Sequence, residues 1–137
     1  MNNSSGKQAG VWIDHRRAQI VGLSPDGQFT TAILSNVEKQ GRYEAQQVPA
    51  DDKRQRALTG ELNIYYDAVI HALHGYETLM IFGPGEAKGE LHARLLKSHQ
   101  GGRVSAVETA DQMTEGQVVA KVRAHFGASA PRSRIPR

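Results

Sequence analysis

The segment from Leu79 to Leu91 contains residue types that bind anions. A wholly apolar run, Thr78–Phe82, passes through Gly83-Pro84-Gly85 into a helical pattern that contains Lys88. A strand that turns through glycines into a helix directs the free N–H groups of the first helical turn toward the end of the strand, and a nearby lysine adds positive charge. The residues Gly83, Gly85 and Lys88 therefore predict a phosphate-facing turn.

The same turn also fits a purely structural interpretation. Glycines make tight strand–helix connections without any ligand, and Glu86 would repel a phosphate. Two established motifs are incomplete here: the P-loop needs GxxxxGK[ST], and GxGxxG would need a third glycine where Lys88 stands. No cofactor is predicted, and both interpretations of the turn remain open.

Further cations lie in two polar segments of the chain. Arg16 and Arg17 follow the first apolar run, and a long stretch at 37–60 is mostly polar. We expect this stretch to be a functional or unstructured loop, because it cannot bury itself. Four acids, Glu38, Glu44, Asp51 and Asp52, are interleaved in sequence with its five cations, and this mixture also fits a solvated surface loop. The predicted RNA-binding cations of this loop are Lys39, Arg42, Lys53, Arg54 and Arg56.

Carboxylates at strand ends raise an enzymatic alternative. Two-metal nucleases hold their ions with clustered acids, and Asp14, Asp67 and Glu108 are the candidates here. The strand 78–82 ends in glycine and proline, where a matching carboxylate would be expected. His71 and His74 lie three positions apart, a possible metal spacing, but no third ligand is apparent, and neither is a Ser-His-Asp set. No catalytic residue and no metal ligand is therefore predicted, and a metal-dependent nuclease or phosphoesterase stays as an alternative.

The elements that would position these residues follow from the hydrophobic pattern. Three β-rich runs joined by short turns predict an antiparallel meander, and the period then changes from two to about 3.6. Helical patterns alternate with two further strands, and Thr114-Glu115-Gly116-Gln117 predicts a capping box for the last helix. The predicted strands are 10–14, 18–23, 28–35, 78–82 and 103–108. The predicted helices run from about 62 to 74, from 86 to 98, and from 115 to 126.

The resulting order, β-β-β-α-β-α-β-α, predicts an α/β fold with a ribonuclease H-like mixed sheet and helices on the sheet faces. One domain is expected at residues 10–126, including the polar loop at 37–60. Residues 1–9 are expected to form a flexible tail, and residues 127–137 a basic disordered tail.

Two segments resemble the central domain of archaeo-eukaryotic peptide-chain release factors and Pelota proteins. Leu79-Met80-Ile81-Phe82-Gly83-Pro84-Gly85-Glu86-Ala87-Lys88 is similar to the GPG-x-x-K junction of that domain. The opening segment Val11-Trp12-Ile13-Asp14-His15-Arg16-Arg17-Ala18-Gln19-Ile20 resembles the opening hydrophobic strand of that domain and its Asp-x-x-x-Ala sequence. Glu108-Thr109-Ala110-Asp111 before the last helix resembles small stand-alone bacterial relatives labelled translational machinery proteins.

This resemblance implies a cytoplasmic bacterial protein that engages the ribosome or tRNA. In release factors, Gly-Gly-Gln in the long loop positions water for peptidyl-tRNA hydrolysis, whereas this loop offers Gln40-Gly41-Arg42. The resemblance thus predicts a non-catalytic, Pelota-like module that binds ribosomal or transfer RNA. A protein-interaction domain without nucleic-acid contact is the remaining alternative.

Composition limits these alternatives further. The chain has 137 residues, no cysteine and no long apolar run, so disulfides, thiol chemistry and a membrane span are not expected, and no signal peptide is predicted. The formal net charge is +3. The three positive charges of the tail residues Arg132, Arg134 and Arg137 account for all of it. Residues 1–131 contain 14 basic and 14 acidic side chains. The global charge therefore supports nucleic-acid binding only weakly, and sequence alone predicts no oligomeric state.

Overall fold

The alternation of strands and helices in the computed structural model follows the predicted order. The structure describes residues 7–25, 27–35 and 51–129, with side chains from residue 60 onward in the last range and up to residue 127. The strands are β1 (Gln8–Ile13), β2 (Arg17–Ser24), β3 (Gly27–Leu34), β4 (Thr78–Gly83) and β5 (Val104–Thr109). The helices are α1 (Asp51–Ala72), α2 (Ala87–Lys97) and α3 (Glu115–Ser129), with a short 3-10 turn at Gly101–Arg103.

The five strands form one mixed sheet in the order β3-β2-β1-β4-β5. Short turns join β1, β2 and β3, so these strands pair antiparallel. Helices connect β3 to β4 and β4 to β5, and these longer crossovers let β1, β4 and β5 lie parallel. The ribonuclease H-like mixed sheet predicted from the element order is confirmed.

Helices cover both faces of the sheet, as predicted. On one face, α1 and α2 pack Tyr65, Val69 and Leu91 against strand residues such as Val11 and Ile81. On the other face, α3 packs against the alternate residues of the same strands. The α3-side core contains Trp12, Val21, Met80, Phe82, Val118, Val122 and Phe126. β1 and β4 are apolar on both faces because both faces of these strands are buried.

The expected loop at 37–60 is wrong in its second half. Residues 51–60 are the first ten residues of α1. The polar composition concealed this helix, but Lys, Arg, Gln, Ala and Leu are good helix formers, and Asp51 and Asp52 suit the positive end of the helix dipole. Lys53, Arg54 and Arg56 are therefore helical, whereas Lys39 and Arg42 lie outside the described residues.

Both predicted tails are shorter than expected. Gln8 and Ala9 belong to β1, because they pair with β2 on one side and with β4 on the other. The last helix continues past residue 126 to Ser129, and no proline that would end it occurs between residues 115 and 130. The remainder of each tail lies outside the described residues. No helix within the described ranges is long and apolar enough to cross a membrane.

Candidate nucleic-acid interface

Two of the predicted binding segments meet at one edge of the sheet. β1 and β4 are parallel neighbours, so the turns that follow them lie side by side. We call this region the carboxyl edge and define it by residues 14–17 after β1, residues 83–90 at and after the end of β4, and residues 110–113 after β5. The backbone joins these segments directly, because Ala110 N–H donates to the carbonyl of Gly83 at 3.1 Å. The carboxyl edge thus collects Arg16, Arg17, Gly83, Gly85 and Lys88.

Asp14 builds the turn between β1 and β2. Its Oδ1 accepts hydrogen bonds from the backbone N–H groups of Arg16 and Arg17, at 2.8 and 2.9 Å. Its own N–H donates to the carbonyl of Arg17 at 3.0 Å. Asp14 therefore acts as a turn former that holds two consecutive arginines at the edge.

Backbone geometry explains both glycines of the turn after β4. Gly83 has φ of 150°, and a Cβ there would overlap the carbonyl oxygen of Ile13. Gly85 has φ of 64°, a left-handed conformation that favours glycine. Lys88 Nζ donates to the carbonyl of Gly85 at 2.5 Å, so this ammonium group also closes its own turn. The structural interpretation of these residues is supported, and it leaves their role in anion binding a prediction.

A hydrogen-bonded bridge holds the two turns together. His15 Nε2 lies 3.0 Å from Glu90 Oε1 at the start of α2, and Tyr66 OH donates to the same oxygen at 2.5 Å. From the adjacent position of α1, Tyr65 OH donates to the carbonyl of Asp14 at 2.8 Å. Sequence reasoning missed Glu90 and the role of both tyrosines, because partners 24 to 75 positions apart give no local signal.

Burial determines the ionisation of the two tyrosines. Desolvation raises the pKa of Tyr65 well above its usual value, and the neighbouring charge of Asp14 raises it further. Desolvation also raises the pKa of Tyr66, with a further contribution from its hydrogen bond to Glu90. Both hydroxyls therefore stay protonated and act as donors to the carboxyl edge.

A cleft of about 460 Å³ opens at the carboxyl edge between the β1–β2 turn and the end of β3. The guanidinium of Arg17 lies 4.5 Å from the centre of the Trp12 ring, a cation–π contact. Gln112 reaches the cleft from the segment after β5, and its Nε2 donates to Asp14 Oδ2 at 3.4 Å. Sequence reasoning missed Gln112. The lining residues are Asp14, Arg16, Arg17, Leu34, Ser35 and Gln112.

The first part of α1 extends past this edge. Tyr65 contacts the end of β1, whereas Leu73, just past the end of α1, accepts a hydrogen bond from Arg103 ahead of β5. The helix therefore runs from the carboxyl edge toward the amino-terminal ends of β1, β4 and β5. At 1.5 Å per residue, the stretch from Asp51 to Tyr65 extends roughly 21 Å. Lys53, Arg54 and Arg56 lie on this extension.

The three carboxylates of the nuclease alternative do not come together. Asp67 pairs with Arg94 at 2.8 Å on the face covered by α1 and α2. Glu108 pairs with Lys121 of α3 at 3.1 Å on the other face, and Asp14 forms its turn. Within the ranges that the structure describes, no three His, Asp or Glu side chains are placed to hold a metal ion. The sheet itself separates two of the three candidates.

Comparisons with known proteins identify the fold. No family model matches the chain, and no curated protein matches it in sequence. Among solved structures, the Pelota protein of Thermoplasma acidophilum matches with a TM-score of 0.54 and 18% identity, over 95% of this chain and 34% of that one. The archaeal translation termination factor aRF1 matches with a TM-score of 0.56 and 11% identity, over 90% of this chain and 35% of that one.

A second Pelota structure, from Archaeoglobus fulgidus, gives a TM-score of 0.51 at 14% identity, over 90% of this chain and 36% of that one. This chain therefore spans only about a third of the length of the proteins it matches. The predicted resemblance to the Pelota and release-factor central domain is confirmed at the level of the fold.

Proposed function

We propose that this chain is a translation-associated module that binds ribosomal or transfer RNA through its carboxyl edge and does not hydrolyse peptidyl-tRNA. Its fold is that of a segment found in Pelota and in a translation termination factor. The sequence contains no Gly-Gly-Gln, so the backbone that would present a glutamine to the ester is not encoded as in release factors.

The observation that carries this proposal is the shared position of two cationic turns. Arg16 and Arg17 on the β1–β2 turn and Lys88 after the β4 turn lie at one edge, and the His15–Glu90 contact at 3.0 Å links the two segments. Nucleic-acid backbones are bound by cations placed along one surface and held in register by rigid elements. The Asp14 turn and the Tyr65 hydrogen bond supply that rigidity.

Electrostatics limits the strength of this binding. Asp14, Glu86 and Glu90 stand beside Arg16, Arg17 and Lys88, so the described part of the edge has little net charge. Asp14 Oδ1 and Glu90 Oε1 accept hydrogen bonds from donors within the edge. These donors partly compensate the negative charge of the two carboxylates, so its repulsion of a phosphate is reduced. We therefore expect modest affinity with a clear salt dependence, to which the three cations of α1 also contribute.

Cosedimentation with ribosomes across a salt series tests the proposal. The Arg16→Ala variant should lose several-fold in affinity and show a salt slope lower by about one, because one phosphate contact is removed. Lys97→Ala is the matched control, since Lys97 is an exposed cation at the opposite end of α2. Equal effects of the two variants, or binding that salt does not weaken, would contradict the carboxyl edge as the RNA site.

A release assay tests the second half of the proposal. Peptidyl-tRNA on stalled ribosomes should remain intact when the protein is added. Hydrolysis that disappears in Gln40→Ala would overturn the non-catalytic assignment.

A further inference from the structure

Within the described part of the chain, the outer side of β3 has no pairing strand. β3 is one of the two outermost strands of the sheet. Its eight residues, Gly27–Leu34, contain neither a charged residue nor a proline. Two of its apolar side chains are unusually exposed: Phe29 at 59% and Leu34 at 74%. Natural edge strands of this length normally carry charges, prolines or bulges that prevent pairing with another chain.

The register of the β2–β3 ladder shows which backbone groups face outward. Ser24 pairs with Gly27 across a two-residue turn, and Ser35 N–H donates to the carbonyl of Arg16. In an antiparallel ladder the hydrogen-bonded pairs alternate, so the odd-numbered residues of β3 bond to β2. The N–H and C=O groups of the even-numbered residues therefore point outward; these residues are Gln28, Thr30, Ala32 and Leu34.

The other outermost strand of the sheet, β5, has features that discourage pairing with another chain. β5 has six residues, and its register against β4 shifts between Leu79 and Met80. It also carries Glu108, which pairs with Lys121 of α3 at 3.1 Å. A break in the register and a charged side chain on the edge strand both discourage pairing with another chain. Among the described residues, only the β3 edge therefore lacks such a feature.

We propose that the outer edge of β3 pairs antiparallel with β3 of a second copy of this chain, about a two-fold axis at Thr31. In this register Phe29 lies opposite Ile33 of the second copy on the α1 face, and Gln28 lies opposite Leu34 of the second copy on the α3 face. Seven residues of each strand are then paired. The four outward N–H and C=O groups of each copy find partners, and the two exposed apolar side chains pack against the other chain.

The second copy fits because the strand is complementary to itself. A two-fold axis at Thr31 places the central residues of β3 next to their own copies, where a charged side chain would meet a charge of the same sign. This strand has none. The pairing uses no residue proposed to bind RNA, and it stands whether or not the chain binds the ribosome.

A disulfide across the two-fold axis tests the register. The chain has no cysteine, so Thr31→Cys introduces its only thiol. At a non-hydrogen-bonded antiparallel pair the two Cα atoms lie about 4.5 Å apart, within the range that a disulfide spans. Oxidised glutathione should therefore convert Thr31→Cys to a covalent dimer. Thr30→Cys, the matched control on the other face, should cross-link far more slowly, and equal or faster cross-linking of this control would overturn the pairing.

Sedimentation equilibrium of the unmodified chain tests the association itself. The expected mass rises with concentration from 15.0 kDa to twice that value. Thr30→Pro removes an N–H that points away from β2, so it leaves the β2–β3 ladder intact but blocks the second copy. It should stay monomeric with an unchanged far-UV spectrum. A wild-type chain that remains at 15.0 kDa at every concentration, or a Thr30→Pro variant that still dimerises, would overturn the proposal.

Discussion

Gly83 shows how one residue sets the geometry of the carboxyl edge. With φ of 150° it ends β4 so close to β1 that a Cβ would meet the carbonyl of Ile13. The close approach lets its own carbonyl accept the N–H of Ala110, which positions the segment after β5. A residue that sequence analysis associates with phosphate binding thus has a structural role of its own.

Gly83→Ala should lower the free energy of unfolding by about 1–3 kcal/mol, because the new methyl group strains the backbone of both strands. Urea denaturation measures this loss. Gly89→Ala is the matched control: Gly89 lies in α2 with nothing within 4 Å of its Cβ position. The control should gain up to about 1 kcal/mol from helix propensity. A neutral Gly83→Ala would contradict the close approach.

At the scale of single elements, a helix start can be recognised when its signal is local. The capping box of α3 is confirmed: Gln117 N–H donates to Thr114 Oγ1 at 3.1 Å, and Thr114 N–H donates to Gln117 Oε1 at 2.9 Å. The start of α1 was missed because residues 51–60 have a polar composition that resembles a loop. Their helix propensity was the signal that could have corrected this prediction.

Thr114→Ala should destabilise the fold by about 1 kcal/mol, because the first turn of α3 loses a side-chain acceptor. α3 supplies Val118, Val122 and Phe126 to the core on its face of the sheet, so fraying there exposes apolar surface. Thermal unfolding measures the loss, and Thr114→Ser, which keeps the hydroxyl, should restore most of it. Equal stability of the alanine and serine variants would argue against the cap.

At the scale of the whole molecule, the charge distribution and the pH response depend on different parts of the chain. Residues 1–131 have balanced charges, so the RNA binding proposed above would depend on local arrangement more than on long-range attraction. The pH response at high pH depends on the tyrosines that anchor α1 to the carboxyl edge, because both pKa values are raised by burial.

The protein should lose stability above about pH 10. In the unfolded chain each tyrosine ionises near its ordinary pKa, whereas the folded state keeps the proton, so the stabilisation is complete below that pH and is lost as the pH rises toward the folded pKa. Each tyrosine contributes a slope of about −1.4 kcal/mol per pH unit there. Tyr65→Phe should remove one such contribution in urea titrations at several pH values. An unchanged alkaline slope in this variant would show that Tyr65 is not the group concerned.

The sequence alone determined the order of elements, the mixed sheet and the capping box, because hydrophobic period, turn residues and caps act over a few neighbouring positions. It also indicated Arg16, Arg17 and the Gly83–Lys88 turn as candidates. Only the tertiary structure decided that these segments share one edge, that Glu90 and Gln112 belong to it, and that Asp67 and Glu108 lie on opposite faces. Such relations depend on strand order and on contacts between residues far apart in the chain, which no local pattern encodes.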